Sequence, residues 1–590
     1  MNPKKEMQVK QKISLLAQQK NFPEAVKLAQ SLVQANPKDI EAWFVLAQLL
    51  TQVGAFEESV QAYLSACQSP SPFAMQALER AVRISVDHGF WQLGREPSKV
   101  FAEMQSGSAD AQLYHGLCCF FMNHYLAAIE AFEKALQIDP NNIEALNRCG
   151  MSYGYIANNE KAQSFFQRSL AVSRDGNRAL RLNVCSNNYI EGLDESVVFR
   201  SHRDAAIELE EKNESVANCE LSVAELASRK LRIGICSEDF RLHSVAYFLM
   251  PIFKHYDTEK WEIFCYSDVA KADAVTEEIK GKVDHFRECS GLTDEALYQQ
   301  VKEDGVDILI DLMGYFSHAR FGVFARRAAP VQLTYLGYPH TTGLSSMDYR
   351  LVDSQTDKGG DEFYSERLVR LDGSFLCFDP SPEAPAVSSL PGGASGSVTF
   401  GAFNSMQKLT ELNVRMWSKV LSELPSSRLL IKAVPLGEQA LAEALLDRFE
   451  KNGVTRDRID VMGITPKRED HLSLYSKVDI HFDTFPYNGT TTTCEAAWQG
   501  VPTLTLAGEQ HRSRVGLSIL HQLNMDDWVA FSEQEFVEKA VAKARDIGGL
   551  AQLRSGLRQK IAESPLTDGP AFVAALEREF DKMVESVCLA

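Results

Sequence analysis

The first third of the chain reads as paired amphipathic helices whose pattern repeats. Gly116 and Gly150, Ala128 and Ala162, and Phe132 and Phe166 are each separated by 34 residues, as are Phe22 and Phe56, and Ala29 and Tyr63. Small residues recur where two helices must approach closely and large ones fill the adjoining gap, while Pro37 and Pro140 stop the second helix of a pair. The stretches EAWFVLAQLLTQVGAFEESVQAYLSACQSP and LYHGLCCFFMNHYLAAIEAFEKALQIDP are the clearest copies.

A period of 34 residues is that of tetratricopeptide repeats, which predicts an all-α superhelical arm over residues 1–185. Ser69 to Ala109 fits the repeat poorly and reads as an irregular helical pair. Such arms present a concave surface to extended peptide, with a spacer or dimerising role as the plainer alternative. An acidic, weakly patterned helical linker follows over residues 186–228.

The texture then changes to short β-rich runs alternating with helical segments: KLRIGIC, EIFCYS, DILIDL, VQLTYL and DYRLVD. This alternation predicts βαβ units and a parallel sheet covered on both faces. DPSPEAPAVSSLPGGASGS is too rich in Pro, Gly and Ser for either element and marks an inter-lobe linker over 380–397. The alternation resumes as VTFGAF, RLLIKA, RIDVM, VDIHFD and PTLTLA. The fold class is therefore α plus α/β multidomain: a helical arm, then Rossmann-like lobes over 229–379 and 398–590, with a ligand cleft between the strand ends.

Composition narrows the function. Hydrophobic residues make up 45% and charged residues 24%, the balance of a globular protein, and a net charge of −18 argues against a nucleic-acid partner. Any anionic ligand must be held by a local site. The twelve cysteines show no C-x-x-C spacing, which suits reduced thiols and no zinc site. Without a signal-like or membrane-length apolar run, a cytoplasmic location with no membrane partner is expected.

The strongest candidate for chemistry is VDIHFDTFPYNGTTTTCEAAWQGVP. A strand ends at Asp483, and Asn488 and Gly489 lead into Thr490, Thr491, Thr492 and Thr493 at the start of a helix carrying Glu495. Free N–H groups and hydroxyls at a helix N-terminus suit a diphosphate. One hydroxyl suffices for a cap, so four point beyond capping. Glu495 either reaches towards a sugar hydroxyl or complements the helix dipole.

FGAFNSMQKLT contributes Asn404, Ser405 and Lys408, the lysine placed to stabilise charge on a departing nucleotide as a metal does elsewhere. Lys432 is a weaker candidate. The chain has no D-x-D triplet, so no metal and no cofactor beyond the donor substrate are expected. GITPKREDHL brings Arg468 and His471 towards base and phosphates, and GEQHRSRVGLSIL places His511, Arg512 and Arg514 at another helix start. In the first lobe, SEDFRLHSVAYF sets His243 beyond a strand end, where a catalytic and a structural reading stand level. Tyr315, His318, Tyr338, Pro339, His340 and Thr341 are expected on the same rim.

With these motifs in order behind tetratricopeptide repeats, the chain resembles the protein O-GlcNAc transferase and SPINDLY family of GT-B glycosyltransferases, as a bacterial-type member. The motifs are DFRLHS, ARRAAPVQLTYLGYPHTTGLSSMDYRLVD, FGAFNSMQKLT and DTFPYNGTTTTCEAAWQGVPTLTLAGEQHRSRVG. The resemblance implies inverting, metal-independent transfer of one sugar from a nucleotide donor to Ser or Thr of proteins. It places Lys408 on the donor diphosphate, Thr491 and Thr492 on the phosphates, His471 and Arg468 near the nucleobase, and Glu495 on the ribose. His243 falls at the acceptor side, as base or acceptor-orienting group.

Ser405 stands where the animal transferase has glutamine, and Gln299 and Lys302 where it has an aspartate and a histidine, which leaves the base unassigned. UDP-GlcNAc is the expected donor, with GDP-fucose, used by plant SPINDLY proteins, as the alternative. Partners implied are the nucleotide sugar and protein or peptide acceptors held by arm and cleft, with a homodimer through the arm. The competing readings are a transferase acting on Asn or a glycan, and a scaffold with a decayed nucleotide lobe.

Overall fold

A computed structural model describes residues 3–68, 71–174, 178–213, 228–316 and 319–588. The linker expectation for 214–227 and the rim expectation for His318 lie outside the described residues. The chain divides into a helical unit, residues 1–156 and 161–179, and a second unit, residues 157–160 and 180–590.

In the helical unit the 34-residue period is a packing period. A Cβ on Gly116 would lie 2.4 Å from the Phe132 ring, and one on Gly150 would lie 2.5 Å from the Phe166 ring, so each glycine is the slot for the phenylalanine of the next helix. Ser108 and Asn142, again 34 apart, cap helices Ala109–Phe121 and Ile143–Tyr155 by accepting from the amides of Ala111 and Ala145. The poorly patterned stretch forms a pair of the same kind, Ala74–Asp87 and Trp91–Met104, distinguished by Pro97 inside its second helix.

The second unit carries two sheets, and every strand pairing in both is parallel. In chain order the first has β1 Leu231–Ser237, β2 Trp261–Ser267, β3 His285–Glu288, β4 Ile308–Asp311, β5 Val331–Thr334, β6 Tyr349–Asp353 and β7 Arg367–Leu371, arranged 3-2-1-4-5-6-7. The second has β8 Thr399–Ala402, β9 Arg428–Lys432, β10 Ile459–Met462, β11 Ile480–Phe482, β12 Thr503–Leu506 and β13 Val529–Ala530, arranged 10-9-8-11-12-13. In each, the order reverses beside a central strand, β1 or β8, and the crevice at such a switch point is where this fold class binds ligands.

Two boundaries differ from expectation. The C-terminal helix Gly569–Cys588 returns to the first lobe: Trp261 and Phe580 lie with ring centroids 5.3 Å apart, and the hydroxyls of Tyr349 and Ser586 are 2.9 Å apart. Its apolar stripe of Phe572, Leu576, Phe580 and Met583 is buried there, and an amphipathic pattern alone does not say which lobe receives it. Helix Glu195–Lys212, read as linker, is built into the first lobe, with His202, Ala205 and Ala206 fully buried.

Candidate active site

A cavity of about 510 Å³ lies between the two lobes. Its first-lobe wall includes Asp239, Arg241 and His243 from the loop after β1, with Phe316 and Gly337. Its second-lobe wall includes Asn404, Ser405, Lys408, Tyr487, Thr490, Thr491 and Thr492.

The second-lobe wall is assembled by a buried asparagine absent from the expectations. Asn413 donates from Nδ2 to the carbonyls of Lys408 and Phe485, both at 2.9 Å, and accepts at Oδ1 from the Phe485 amide at 3.0 Å. It ties the Lys408 turn to the aromatic-proline turn, whose Phe485–Pro486 bond is cis. Asp483, at the end of β11, accepts from the Gly489 amide at 2.6 Å and from Thr505 Oγ1 at 2.7 Å, which sets the strand-to-helix turn. Burial lifts its carboxyl to about 6, against the pull of those hydrogen bonds and of Lys408.

Lys408 is the central cation. Its Nζ donates to the Asn488 carbonyl at 2.7 Å and lies 3.8 Å from the Tyr487 ring centroid. Burial lowers its pKa to about 8, so the ammonium is held poorly solvated. Beside it the helix Thr491–Trp498 opens towards the cavity with Thr490, Thr491 and Thr492 in the lining. Thr490 makes no side-chain cap bond, and the first-turn amides have no partner within the helix. A Cβ on Gly489 would fall 2.3 Å from Thr492 Oγ1 and 3.1 Å from Asn404 Oδ1, so only glycine lets the turn close. Asn404 Oδ1 accepts from Thr492 Oγ1 at 3.3 Å, while its Nδ2 is buried with no hydrogen-bond partner. An ammonium, helix-end amides and a spare carboxamide donor thus converge on one space, the donor set a pyrophosphate needs.

Arg468, His471 and Glu495 are brought together with one another but are not part of that lining. Glu495 pairs with Arg468 and, at 3.1 Å, with His471 Nε2. Burial opposes its ionisation, yet His471 and Arg468 hold its carboxyl below the usual range. Arg468 Nε and His471 Nδ1 are buried without hydrogen-bond partners.

Other candidates lie elsewhere than expected. Tyr315, Tyr338, Pro339, His340 and Thr341 are buried behind the cavity wall and do not form a rim. Tyr338 Oη lies 2.8 Å from His202 Nε2, Tyr315 Oη donates to the Thr342 carbonyl, His340 Nε2 lies 2.7 Å from Glu195, and Thr341 Oγ1 donates to Glu366. Helix Glu195–Lys212 covers them: Tyr338 and His340 bond to its His202 and Glu195, while Thr341 is used within the lobe. Asn488 is turned inward: its Nδ2 donates to the Thr484 carbonyl and its Oδ1 accepts from the Gly516 amide. His511 and Arg514 join the lobes, at 2.6 Å from Asp357 Oδ2 and 2.7 Å from the Gln355 carbonyl.

A family model for glycosyl transferase family 41 matches residues 206–382 and 386–576. The chain belongs to glycosyl transferase family 41. Tetratricopeptide models match residues 11–74 and 109–142. Among curated relatives, a protein named probable UDP-N-acetylglucosamine–peptide N-acetylglucosaminyltransferase SPINDLY from Solanum lycopersicum is 36% identical over 425 residues, 71% of this chain and 45% of that protein. One of the same name from Arabidopsis thaliana is 37% identical over 71% of this chain and 46% of its own length. The chain thus spans about half the length of these relatives. A solved O-GlcNAc transferase mutant from Thermobaculum terrenum is 29% identical, with a TM-score of 0.80 over 88% of this chain and 99% of that one. Among the described residues of this family 41 member, no helix is long and apolar enough to cross a membrane.

Proposed function

We propose that this family 41 chain is an inverting protein O-glycosyltransferase that transfers GlcNAc from UDP-GlcNAc to Ser or Thr of polypeptides. The observation that carries it is the meeting of Lys408 with the Thr490–Thr492 helix start in one inter-lobe cavity. The SPINDLY-named and O-GlcNAc-transferase-named relatives support the donor and the protein acceptor.

In the reaction the acceptor oxygen attacks the anomeric carbon from the face opposite the diphosphate. The bond from that carbon to the diphosphate oxygen breaks, and the electron pair leaves with the nucleotide. Lys408 and the helix amides neutralise the charge as it grows, a preorganised arrangement that strengthens towards the transition state. This division of labour needs no divalent metal. We assign the nucleoside to Arg468 and His471, which Glu495 holds together and whose Nε and Nδ1 are buried without hydrogen-bond partners. In the arm, a groove of about 620 Å³ with Lys10, Phe22, Glu41, Tyr63 and Arg80 in its lining suits an extended acceptor chain.

The test incubates the protein with an acceptor peptide library and either UDP-GlcNAc or GDP-fucose, with and without EDTA, and measures nucleotide release and the modified atom by mass spectrometry. UDP release with sugar on a hydroxyl, unchanged by EDTA, is expected. Release from GDP-fucose alone reassigns the donor, modification of an amide nitrogen reassigns the acceptor, and collapse on chelation removes the metal-free step.

A further inference from the structure

We infer that Tyr189 and Asn159, from the chain that precedes the first sheet, are positioning residues for the Lys408 ammonium, Tyr189 acting through the Tyr487 ring and Asn159 through the Gln407 carbonyl. This rests on the transferase reading, in which that ammonium meets the departing diphosphate.

Both residues belong to the second unit, and Tyr189 is among the residues lining the cavity. Tyr189 ends a single turn of 3-10 helix, Asn187–Tyr189, whose two asparagines are buried. Asn187 Nδ2 donates to Ser201 Oγ at 2.8 Å, and Asn188 Nδ2 donates to Tyr338 Oη at 3.1 Å. Ser201 is on helix Glu195–Lys212 and Tyr338 follows β5, so the turn is fastened to the first lobe. From there the Tyr189 ring meets the Tyr487 ring of the second lobe, with centroids 5.5 Å apart and planes at 40°. Tyr487 is the ring over which Lys408 Nζ lies at 3.8 Å. The first lobe thus reaches the central cation of the second through two aromatic rings.

Asn159 makes the matching connection to the backbone. It is 7% exposed, and its Nδ2 donates to the Gln407 carbonyl at 3.1 Å and to the Tyr189 carbonyl at 3.4 Å. A carboxamide nitrogen carries two protons, so one side chain ties the residue before Lys408 to the residue that packs on Tyr487. The packed rings keep water from Nζ, and this burial is what brings the amine to about 8, with Asp483 opposing the shift. A fixed ring face also confines the ammonium. The Tyr487 hydroxyl is pushed up by its own burial and stays neutral. The other titratable or charged groups on the cavity are Glu238, Asp239, Arg241 and His243, on the first-lobe wall.

The test follows the amine directly. In 13C-lysine NMR of the free protein, with Lys408→Met used to assign the signal, Tyr189→Ala is expected to raise the Lys408 midpoint by at least about one pH unit, because water returns to the charged form. This readout needs neither donor nor turnover, so failure of the inference is distinguishable from failure of the transferase reading. In kinetics at pH 7, where the amine is charged in both proteins, kcat should fall about 5- to 30-fold with donor KM within about threefold of wild type. The basic limb of the pH profile should move up with the NMR midpoint, so the deficit narrows by about pH 9, whereas a merely structural defect leaves the two profiles parallel. Tyr189→Phe, which keeps the ring, should recover both the midpoint and the turnover. Should a thermal melt show that Tyr189→Ala does not fold, Asn159→Ala leaves both rings in place and moves the same readouts in the same direction, the midpoint by at least about half a pH unit and kcat about 3- to 10-fold. An unmoved Lys408 midpoint in the folded variant, or parallel pH profiles, overturns the positioning role.

Discussion

Replacing Lys408 with methionine removes one charge while keeping most of the side chain's bulk. In the free protein that charge is costly: burial brings the amine from 10.5 to about 8, a difference that corresponds to roughly 3 kcal/mol at most. The folded state thus binds this proton less well than the unfolded chain, so the cost is fully present below pH 8 and fades as pH rises towards 10.5. Methionine removes the cost and forfeits the 2.7 Å bond to the Asn488 carbonyl, about 1 kcal/mol. The variant is therefore expected to melt at or slightly above the wild-type temperature. Catalysis moves the other way. A unit charge about 4 Å from a departing phosphate oxygen, at an effective dielectric of about 20, contributes about 4 kcal/mol, so kcat should fall about 100- to 1000-fold. Wild-type kcat/KM should also decline above about pH 8 as the ammonium deprotonates. The assay is steady-state nucleotide release beside a thermal melt. Turnover within about threefold of wild type, or a melting temperature that collapses, would refute the reasoning.

Gly489→Ala drives a Cβ to 2.3 Å from Thr492 Oγ1 and should weaken UDP binding at least about tenfold in calorimetry, with a stability loss of about 1–3 kcal/mol. His511→Ala strips the partner from Asp357, which is otherwise kept below the usual carboxylate range, against its burial, by His511, Arg350 and Tyr364. That variant should lose about 3–5 kcal/mol in denaturant unfolding, and because the Asp357 contribution is present above the ordinary carboxylate range and lost only below it, the wild-type advantage should persist at pH 5. Gly116→Ala places a Cβ 2.4 Å from the Phe132 ring and should cost the arm about 1–3 kcal/mol, read by hydrogen exchange confined to that repeat.

Much of the architecture is legible because it is written in short-range signals. Gly116 and Phe132 return as Gly150 and Phe166, and the period of the helical unit is visible before any helix is drawn. The Asn488-to-Thr493 turn is legible because strand end, glycine and hydroxyl-rich helix start are contiguous. What escaped is set by partners distant in sequence. Tyr338 and His340 stand in a loop-like Gly-Tyr-Pro-His run, yet helix Glu195–Lys212 lies over them and takes their polar atoms. Helix Gly569–Cys588 shows its stripe but not its destination. Asn413 looks like an ordinary helical residue, although it clamps the nearby Lys408 turn to the Phe485 turn 72 positions away.

Although the chain carries a net charge of −18, the second-lobe wall of the cavity is locally rich in donors, which fits the anionic donor proposed above. The second lobe contributes Lys408 and unpaired donors, all from turns fixed by Asp483 and Asn413. The first lobe contributes Glu238, Asp239, Arg241 and His243, a wall of mixed charge. Because the two walls lie on separate lobes, their alignment depends on contacts outside the cavity. His511 with Asp357, Ser518 with Asp353 and Arg514 with the Gln355 carbonyl supply that alignment. His511 and Arg514, which resembled part of a second anion site, are thus occupied in joining the two lobes.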